Sequence, residues 1–319
     1  MITYSLGLKN KFRGITVREG MLFEGPAGWA EWSPFLDYDD ATCVAWLRAA
    51  QEAAVDGWPE PVRQQIPVNC TVPALGPERA AEIVRASGCR TAKVKVAEPG
   101  QTLADDLARV EAVRDALGAD GRVRIDANGG WSVDEALAAL KELSRFDLEY
   151  VEQPCWTVED LALVRRRTDV LVAADESIRR AEDPLRVREL EAADIAVLKV
   201  QPIGGVRACL EIAEQIGLPV VVSSALETSV GIAAGVALAA ALPELPYACG
   251  LATVAMFTQE VVAEPLLPVD GFLPVKRLEP DRALLAEAAA SPETAAVWEA
   301  RLARVEALKN RAQLERGAG

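Results

Sequence analysis

The sequence contains no histidine among its 319 residues. This absence excludes mechanisms that depend on imidazole, including hydrolase triads that use His, His-ligated zinc sites and His-based acid–base pairs. Any acid–base chemistry must therefore come from carboxylates, lysines, tyrosines or cysteines.

Long apolar runs are also missing. The longest candidate, Ser229 to Leu242, is shorter than the ~18–20 residues that a membrane span needs. The first residues show no basic stretch followed by an apolar one, so we expect no secretory signal. The six cysteines are scattered without a CxxC pair, which is typical of reduced thiols. We therefore expect a cytoplasmic protein without a membrane partner.

Positive charge is scarce, with 34 Lys and Arg against 48 Asp and Glu and a formal net charge of −14. Such a chain is a poor match for a polyanion, so we expect no nucleic-acid partner. Half of the residues are hydrophobic, which excludes a disordered chain and provides for a large core. Nothing in the sequence implies an obligate protein partner.

Short apolar runs alternate with amphipathic segments from about residue 67 onward. Eight runs are short, rich in Val and Ile and bounded by Gly or Pro, as strands are; they cover residues 66–74, 91–96, 122–128, 148–154, 170–177, 194–200, 219–225 and 247–253. Helices are predicted between them, with a cap at Ser132 and terminal glycines at Gly88, Gly118 and Gly217. Regular βα alternation predicts a parallel sheet, and eight units favour a closed barrel over an open one.

The two ends of the chain differ from this pattern. Residues 1–65 combine alternating segments and glycine turns with a helix-like run from Asp39 to Ala54. After Leu267, a proline-punctuated stretch leads into a charged helical tail from Pro292 to about Arg311. We expect the N-terminal segment to form a small α+β unit outside the barrel.

Ionisable side chains stand at the ends of the predicted strands. Asp126, Glu152 and Asp175 lie on three successive strands at intervals of 26 and 23 residues, and Lys199 follows 24 residues later. Residues two apart share a strand face, which groups Lys93 with Lys95, and Asp126 with Asn128 and Arg124. Because strand ends converge on the catalytic mouth of a barrel, we expect these side chains, with Ser223, around one site.

Each of these residues also has an ordinary structural interpretation. A carboxylate at a strand end often caps a helix, and Asp175 before Glu176 is the most cap-like. Lys199 could extend its charge to solvent, and Cys155 is better explained as a small packing residue than as a nucleophile. The regular spacing of the three acids favours a joint site.

Three carboxylates without Cys or His suit Mg²⁺ or Mn²⁺. A metal flanked by two lysines suits proton abstraction next to a carboxylate, since the metal stabilises the resulting enediolate and a lysine takes the proton. A cation and a second lysine nearby would both lower a lysine's pKa toward neutrality.

The motifs KVK (93–95), DAN (126–128), EQP (152–154), DES (175–177) and LKV (198–200) resemble the enolase superfamily, and more narrowly its muconate lactonising subgroup. RGITVREG, Arg124 two residues before Asp126, SSALETS and CGLAT are similar to the actinobacterial o-succinylbenzoate synthase family of menaquinone biosynthesis. The resemblance covers the whole chain. It implies a (β/α)₇β TIM-type barrel over residues 66–267 and an α+β capping domain over 1–65, with a contribution from 268–319.

The resemblance also implies a hydro-lyase that syn-dehydrates 2-succinyl-6-hydroxy-2,4-cyclohexadiene-1-carboxylate to 2-succinylbenzoate. Asp126, Glu152 and Asp175 would bind Mg²⁺ (or Mn²⁺). Lys95 would remove the α-proton and then protonate the departing hydroxyl, while Lys199 would stabilise the enediolate. The supporting and substrate-binding residues would be Lys93, Arg124, Asn128, Glu176, Ser223 and the backbone of Gly250. The segment Lys9 to Gly20 would close over the substrate.

Several alternatives remain open at this stage. N-acylamino acid racemases and muconate cycloisomerases share the site, whereas dipeptide epimerases carry an acidic pair on the eighth strand, where this chain has Ala252. A Schiff-base aldolase could use Lys199 but would leave the three acids without a task. A non-catalytic binding scaffold would have no reason to keep five charged residues. Arg124 fits either a buried structural pair with Asp126 or a nearby acid, or a role in tuning the lysines.

Overall fold

The computed structural model describes residues 1–180 and 184–317, which form three sheets flanked by helices. The strands are β1 (Ile2–Phe12), β2 (Ile15–Gly25), β3 (Gly28–Trp32), β4 (Gln65–Pro67), β5 (Cys70–Val72), β6 (Thr91–Lys95), β7 (Arg122–Asp126), β8 (Leu148–Glu152), β9 (Val172–Ala174), β10 (Ile195–Leu198), β11 (Val220–Val222) and β12 (Phe272–Pro274). The α-helices are α1 (Asp40–Gln51), α2 (Pro77–Ser87), α3 (Leu103–Leu117), α4 (Val133–Leu143), α5 (Val158–Arg165), α6 (Glu176–Arg179), α7 (Arg186–Glu189), α8 (Val200–Ile203), α9 (Val206–Ile216), α10 (Ser229–Ala241), α11 (Arg282–Glu287) and α12 (Pro292–Gly317).

The central sheet is parallel and contains β5 to β11 in chain order. Helices α2 to α9 connect its successive strands, which confirms the predicted βα alternation and the mixed α/β class. The sheet is a curled half-barrel of seven strands. Its strands carry mainly Val, Ile and Ala, because helices cover one face and the fold's interior the other.

Two of the eight predicted strands differ in the structure. The run 66–74 is divided: β4 pairs antiparallel with β12, and only β5 joins the parallel sheet. The run 247–253 is not a strand: two of its residues make isolated bridges, and a 3₁₀ turn begins at its last residue, Thr253. Cys249 bridges to Val68 and Gly250 bridges to Ser223, so this segment contacts the chain next to both edges of the sheet.

Local capping signals hold where they were predicted. Ser132 caps α4 and forms a capping box with Glu135. Helices α2 and α9 end at Gly88 and Gly217 in the left-handed conformation, with φ of 65° and 64°. Helix α1 begins after its cap residue Asp39 and continues as a π-helical turn to Asp56.

The buried side chains form three clusters. The largest fills the space between the parallel sheet and its helices. A second joins β1, β2, β3 and α1 to α11 and α12, with Trp32 and Trp298 edge to face at 5.5 Å between ring centroids. A small third cluster, Tyr150, Ala173, Ile195, Val197 and Val221, lies on the inner face of the sheet. The N-terminal sheet therefore shares its core with the C-terminal helices.

Among the described residues, no helix is both long and apolar enough to cross a membrane.

Candidate active site

The ionisable residues singled out in the sequence meet at the carboxyl ends of the parallel strands. Lys95 ends β6, Asp126 ends β7 and Glu152 ends β8, and these three are direct register partners. Asp175 follows β9 and Lys199 follows β10. Across the sheet, the three acids therefore lie in the middle and the lysines lie on either side.

A cavity of about 630 Å³ opens above these strand ends. Lys93, Lys95, Asp126 and Lys199 line it, whereas Glu152 and Asp175 lie beneath and are fully buried. The other sequence-predicted residues at this cavity are Asn128, Glu176, Ser223 and Gly250. The end of β1 and the turn into β2, residues 10–14, also line it, and they fall within the segment predicted to close over the substrate.

Asp126 is shared by two lysines. Lys95 Nζ donates to Asp126 Oδ2 at 2.6 Å and to Asn128 Oδ1 at 2.5 Å. Lys93 Nζ lies 3.1 Å from the same Asp126 oxygen and donates to Glu152 Oε1 at 2.6 Å. The two lysines of β6 thus hold the carboxylates of β7 and β8 together.

Asp175 has two cationic partners of its own. Lys199 Nζ donates to Oδ2 at 2.5 Å, and Arg179 Nε donates to Oδ1 at 2.8 Å. Arg179 Nη2 also donates to Glu176 Oε1 at 2.5 Å, and Asn128 Nδ2 donates to the same oxygen at 3.2 Å. Arg179 therefore connects the acidic residues at 175 and 176.

Burial and charge move the pKa values of the buried groups in opposite directions. Burial, with the Asp126 carboxylate, raises the pKa of Glu152 to about 7, despite the neighbouring Lys93. Burial alone would raise the pKa of Asp126, but Lys95 and Lys93 lower it well below its ordinary value. Burial would also lower the pKa of Lys93, yet Glu152 and Asp126 raise it, so Lys93 remains a cation.

The oxygen donors at these strand ends are of the kind that binds a divalent cation, and each of the three carboxylates is here paired with a lysine. Within residues 1–180 and 184–317, no three acidic or cysteine side chains converge closely enough to hold an ion by themselves, since lysines lie between the carboxylates. Among the described residues, Glu152 Oε2 nonetheless finds no hydrogen-bond partner and is buried. Carboxylate oxygens, one of them unpartnered, are the donors that a hard divalent metal prefers.

Two residues with positive φ hold the strand ends. Gln153, at φ 42°, accepts hydrogen bonds at Oε1 from the backbone N–H groups of Asp175 at 2.9 Å and Ser177 at 3.2 Å. Asn128, at φ 46°, donates its backbone N–H to Asp126 Oδ1 at 3.0 Å. Such conformations cost energy in non-glycine residues and persist where the surroundings fix them, as at functional sites.

Arg124 does not pair with Asp126, which corrects one expected partner. Its Nε donates to Glu149 Oε2 at 2.5 Å, and its Nη1 donates to Ala248 O at 2.6 Å and to Asn69 Oδ1 at 3.1 Å. Its guanidinium also lies 4.7 Å from the Tyr150 ring centroid. The side chain is fully buried and does not line the cavity. The Arg124 guanidinium is thus directed to Glu149, near the start of β8, and not to Asp126.

Gly250 lines the cavity, where its backbone was expected to bind the succinyl carboxylate. Its N–H already donates to Val222 O at 2.8 Å, so it is not free for a ligand. A Cβ at this position would lie 2.6 Å from Ser223 Oγ. Glycine here therefore leaves room beside the Ser223 hydroxyl in its present position.

Sequence reasoning missed several residues of the cavity. Arg179 and Tyr38 both line it, and the Tyr38 hydroxyl accepts from Arg179 Nη1 at 3.0 Å and from Arg13 Nη2 at 3.2 Å. The position of Arg179, four residues after Asp175 on a helix, was a usable signal. Tyr38 gave no such signal, since only the tertiary fold brings it to the strand ends.

Comparison with known proteins agrees with this geometry. The family description "Enolase C-terminal domain-like" matches residues 77–281, and "Enolase N-terminal domain-like" matches residues 3–54. The o-succinylbenzoate synthase of Thermobifida fusca (strain YX) is 63% identical over 314 residues, covering 98% of each chain. This chain belongs to the o-succinylbenzoate synthase family of the enolase superfamily. A second relative in this family, from Mycolicibacterium smegmatis, is 56% identical over 92% of this chain and 91% of its own.

Solved structures share the fold of this family member. Muconate lactonizing enzyme from Pseudomonas putida has a TM-score of 0.76 at 21% identity, covering 91% of this chain and 98% of its own. N-succinyl Arg/Lys racemase from Bacillus cereus also has a TM-score of 0.76 at 21% identity, over 91% and 96%. Enzymes of this superfamily use a divalent metal.

Proposed function

We propose that this chain is an o-succinylbenzoate synthase: it syn-dehydrates 2-succinyl-6-hydroxy-2,4-cyclohexadiene-1-carboxylate to 2-succinylbenzoate in menaquinone biosynthesis. The observation that carries the proposal is the order of groups across the sheet, with Lys95 and Lys199 on either side of three carboxylates. Family membership at 63% identity supports the same reaction.

We assign Asp126, Glu152 and Asp175 as the ligands of Mg²⁺, with Mn²⁺ as a substitute. Three carboxylates on rigid strand ends and the unpartnered Oε2 of Glu152 support this assignment. When bound, the metal supplies positive charge that stabilises an enediolate at the substrate carboxylate.

Lys95 is assigned as the base. In its neutral form, Nζ takes the proton from the carbon next to the ring carboxylate, so that a C–H bond breaks and the electron pair enters the enediolate. The same ammonium then gives its proton to the departing hydroxyl, the C–O bond breaks, and water and the aromatic ring form. Asp126 and Asn128 hold Lys95 Nζ in place at 2.6 and 2.5 Å. One lysine acting in both steps accounts for the syn geometry.

Lys199 is assigned as a fixed cation on the opposite side. Its side chain is nearly buried and lines the cavity, so its charge acts on the enediolate with little screening by solvent. Lys93 stays protonated between Glu152 and Asp126, which makes it a supporting cation rather than a second base.

The charges of the site suit a dicarboxylate. The four acids Asp126, Glu152, Asp175 and Glu176 face the cations Lys93, Lys199 and Arg179, while Lys95 is neutral when it acts as the base. A bound divalent metal, together with Arg13 and Arg180 in the cavity lining, would leave the site positive toward the two carboxylates of the substrate. We assign the Ser223 hydroxyl, beside the space that Gly250 leaves, to the succinyl carboxylate.

We extend the proposal to the architecture around the site. The bridges of Cys249 and Gly250 next to both edges of the sheet support a closed (β/α)₇β barrel over residues 66–267. The shared core of the N-terminal sheet and the C-terminal helices supports a capping domain over residues 1–65 and 268–319, of which 318 and 319 lie outside the described residues. Six free, buried cysteines support a cytoplasmic location.

The test is direct: purified protein is mixed with the cyclohexadiene substrate and Mg²⁺, and the aromatic product is followed by absorbance and chromatography. We expect 2-succinylbenzoate to form. An N-succinyl amino acid is offered in parallel, with loss of optical rotation as the readout, because a racemase would also use both lysines. Racemisation without dehydration would replace the proposal.

A further inference from the structure

A buried arginine of the N-terminal sheet reaches across to the loop that forms one wall of the cavity. Arg18, in β2, is 2% exposed. Its Nε donates to Leu226 O at 2.9 Å, and its Nη2 lies 3.4 Å from Ala225 O and 3.0 Å from Ser33 Oγ. The guanidinium also stacks on Phe35 at 4.2 Å from the ring centroid. Burying a charge is costly, and these hydrogen bonds and the ring contact offset that cost.

The loop that Arg18 holds lies directly against the substrate cavity. Residues 223–228, here named the wall loop, connect β11 to α10. Its first four residues, from Ser223 to Leu226, all line the cavity. Leu226 has a φ of 64° and a buried side chain, a conformation that is unfavourable for a bulky residue. Such a loop keeps its shape only where its surroundings fix it.

The far end of the wall loop is held from the same sheet. Glu31, in β3, accepts hydrogen bonds at Oε2 from Thr228 N at 3.0 Å and from Thr228 Oγ1 at 2.6 Å. Its other oxygen accepts from the hydroxyl of Tyr4 at 2.8 Å and from Ser33 Oγ at 2.6 Å. Arg18 contacts the same Ser33, so Ser33 links the two residues that hold the wall loop, Arg18 and Glu31.

We propose that Arg18 is a positioning residue for substrate binding: it fixes the strained wall loop so that Ser223 and Leu226 present the correct surface to the substrate. This inference rests on the proposed function and deepens it. Because Arg18 touches neither the acids nor the lysines, its loss should weaken binding of the substrate and leave the proton transfer nearly intact.

The experiment compares Arg18→Met with wild type in the dehydration assay. Loss of the charged hydrogen bonds from Arg18 to the loop carbonyls is expected to raise KM by about tenfold or more, while kcat changes by less than about threefold. The concentration of Mg²⁺ that gives half-maximal activity should stay at the wild-type value. Titration of the intrinsic tryptophan fluorescence with 2-succinylbenzoate should show an equally weakened affinity.

Arg63→Met is the matched control. Arg63 also donates to backbone carbonyls, those of Ala239 and Leu242 at 2.6 Å each, but at the opposite end of α10 and away from the cavity. It should lower the melting temperature without raising KM. Arg18→Lys keeps the charge with fewer donors and should give a KM between those of wild type and Arg18→Met. If Arg18→Met does not fold, the KM of Arg18→Lys is compared with that of wild type instead.

An unchanged KM in a folded Arg18 variant would overturn the inference, as would an equal rise in KM in Arg63→Met. Wild-type protein that fails to produce 2-succinylbenzoate would instead refute the proposed function, and the role of Arg18 with it. The wild-type arm therefore separates the two failures.

Discussion

Replacing Arg124 with methionine tests whether this arginine supports the fold or the chemistry. In wild type its side chain is fully buried and donates to Glu149, Asn69 and Ala248. Removing one partner of a buried ion pair costs about 3–5 kcal/mol of unfolding free energy. The lower end applies here, because the Glu149 side chain is 18% exposed and can regain some hydration. At roughly 2 °C per kcal/mol, a loss of about 3 kcal/mol should lower the melting temperature by about 6 °C.

Turnover in the folded Arg124→Met protein should remain near the wild-type value, with an unchanged pH–rate profile. The measurement combines thermal and urea unfolding with kcat across pH. Arg165→Met is the control, because its ion pair with Asp194 is partly exposed, at 33% and 22%, and should contribute at most about 1 kcal/mol. A stable Arg124→Met variant with a shifted pH–rate profile would refute the structural assignment and restore the catalytic one.

Three further predictions concern the metal, the second lysine and a buried acid. Excess EDTA should abolish activity and Mg²⁺ or Mn²⁺ should restore it; full turnover in EDTA would remove Asp126, Glu152 and Asp175 from metal binding. Lys199→Arg should keep more kcat than Lys95→Arg, since arginine keeps the charge but is not a base near neutral pH, and the reverse order would exchange their roles. Burial raises the pKa of Glu227 to about 7 from its ordinary 4.5, so its contribution to stability declines as pH rises through this window. Glu227→Gln should therefore be the more stable protein by about 3 kcal/mol at pH 8 and equal to wild type near pH 4, as urea unfolding would show; a difference independent of pH would contradict the shift.

The strand ends could be predicted because their pattern is local. An apolar run that ends in a single charge places that charge at the carboxyl end of a strand, and parallel strands bring such ends together. Lys95, Asp126 and Glu152 are accordingly register partners. Ser132 likewise predicts the start of α4 and Gly217 the end of α9, because capping preferences act within one helical turn.

What the sequence did not show depends on side-chain direction and long-range contact. Arg124 shares a strand face with Asp126, yet its guanidinium binds Glu149. The alternation of a strand predicts the face of a side chain, but not the direction along the strand in which a long side chain extends. The run at 247–253 has the composition of a strand, but in the structure it pairs with the rest of the fold only through the isolated bridges of Cys249 and Gly250. Arg18 and Leu226 meet across more than 200 residues, which no local pattern reports.

The central claim is that Lys95 is the base of a metal-assisted dehydration at these strand ends. Its most direct test is a single-turnover comparison of wild type with Lys95→Ala, both saturated with Mg²⁺, after titration with Mn²⁺ has shown equal metal binding. Wild type should form 2-succinylbenzoate, and Lys95→Ala should form it at least about 10²-fold more slowly, as expected when a general base is lost. Dehydration by Lys95→Ala at a rate near that of wild type would contradict the account.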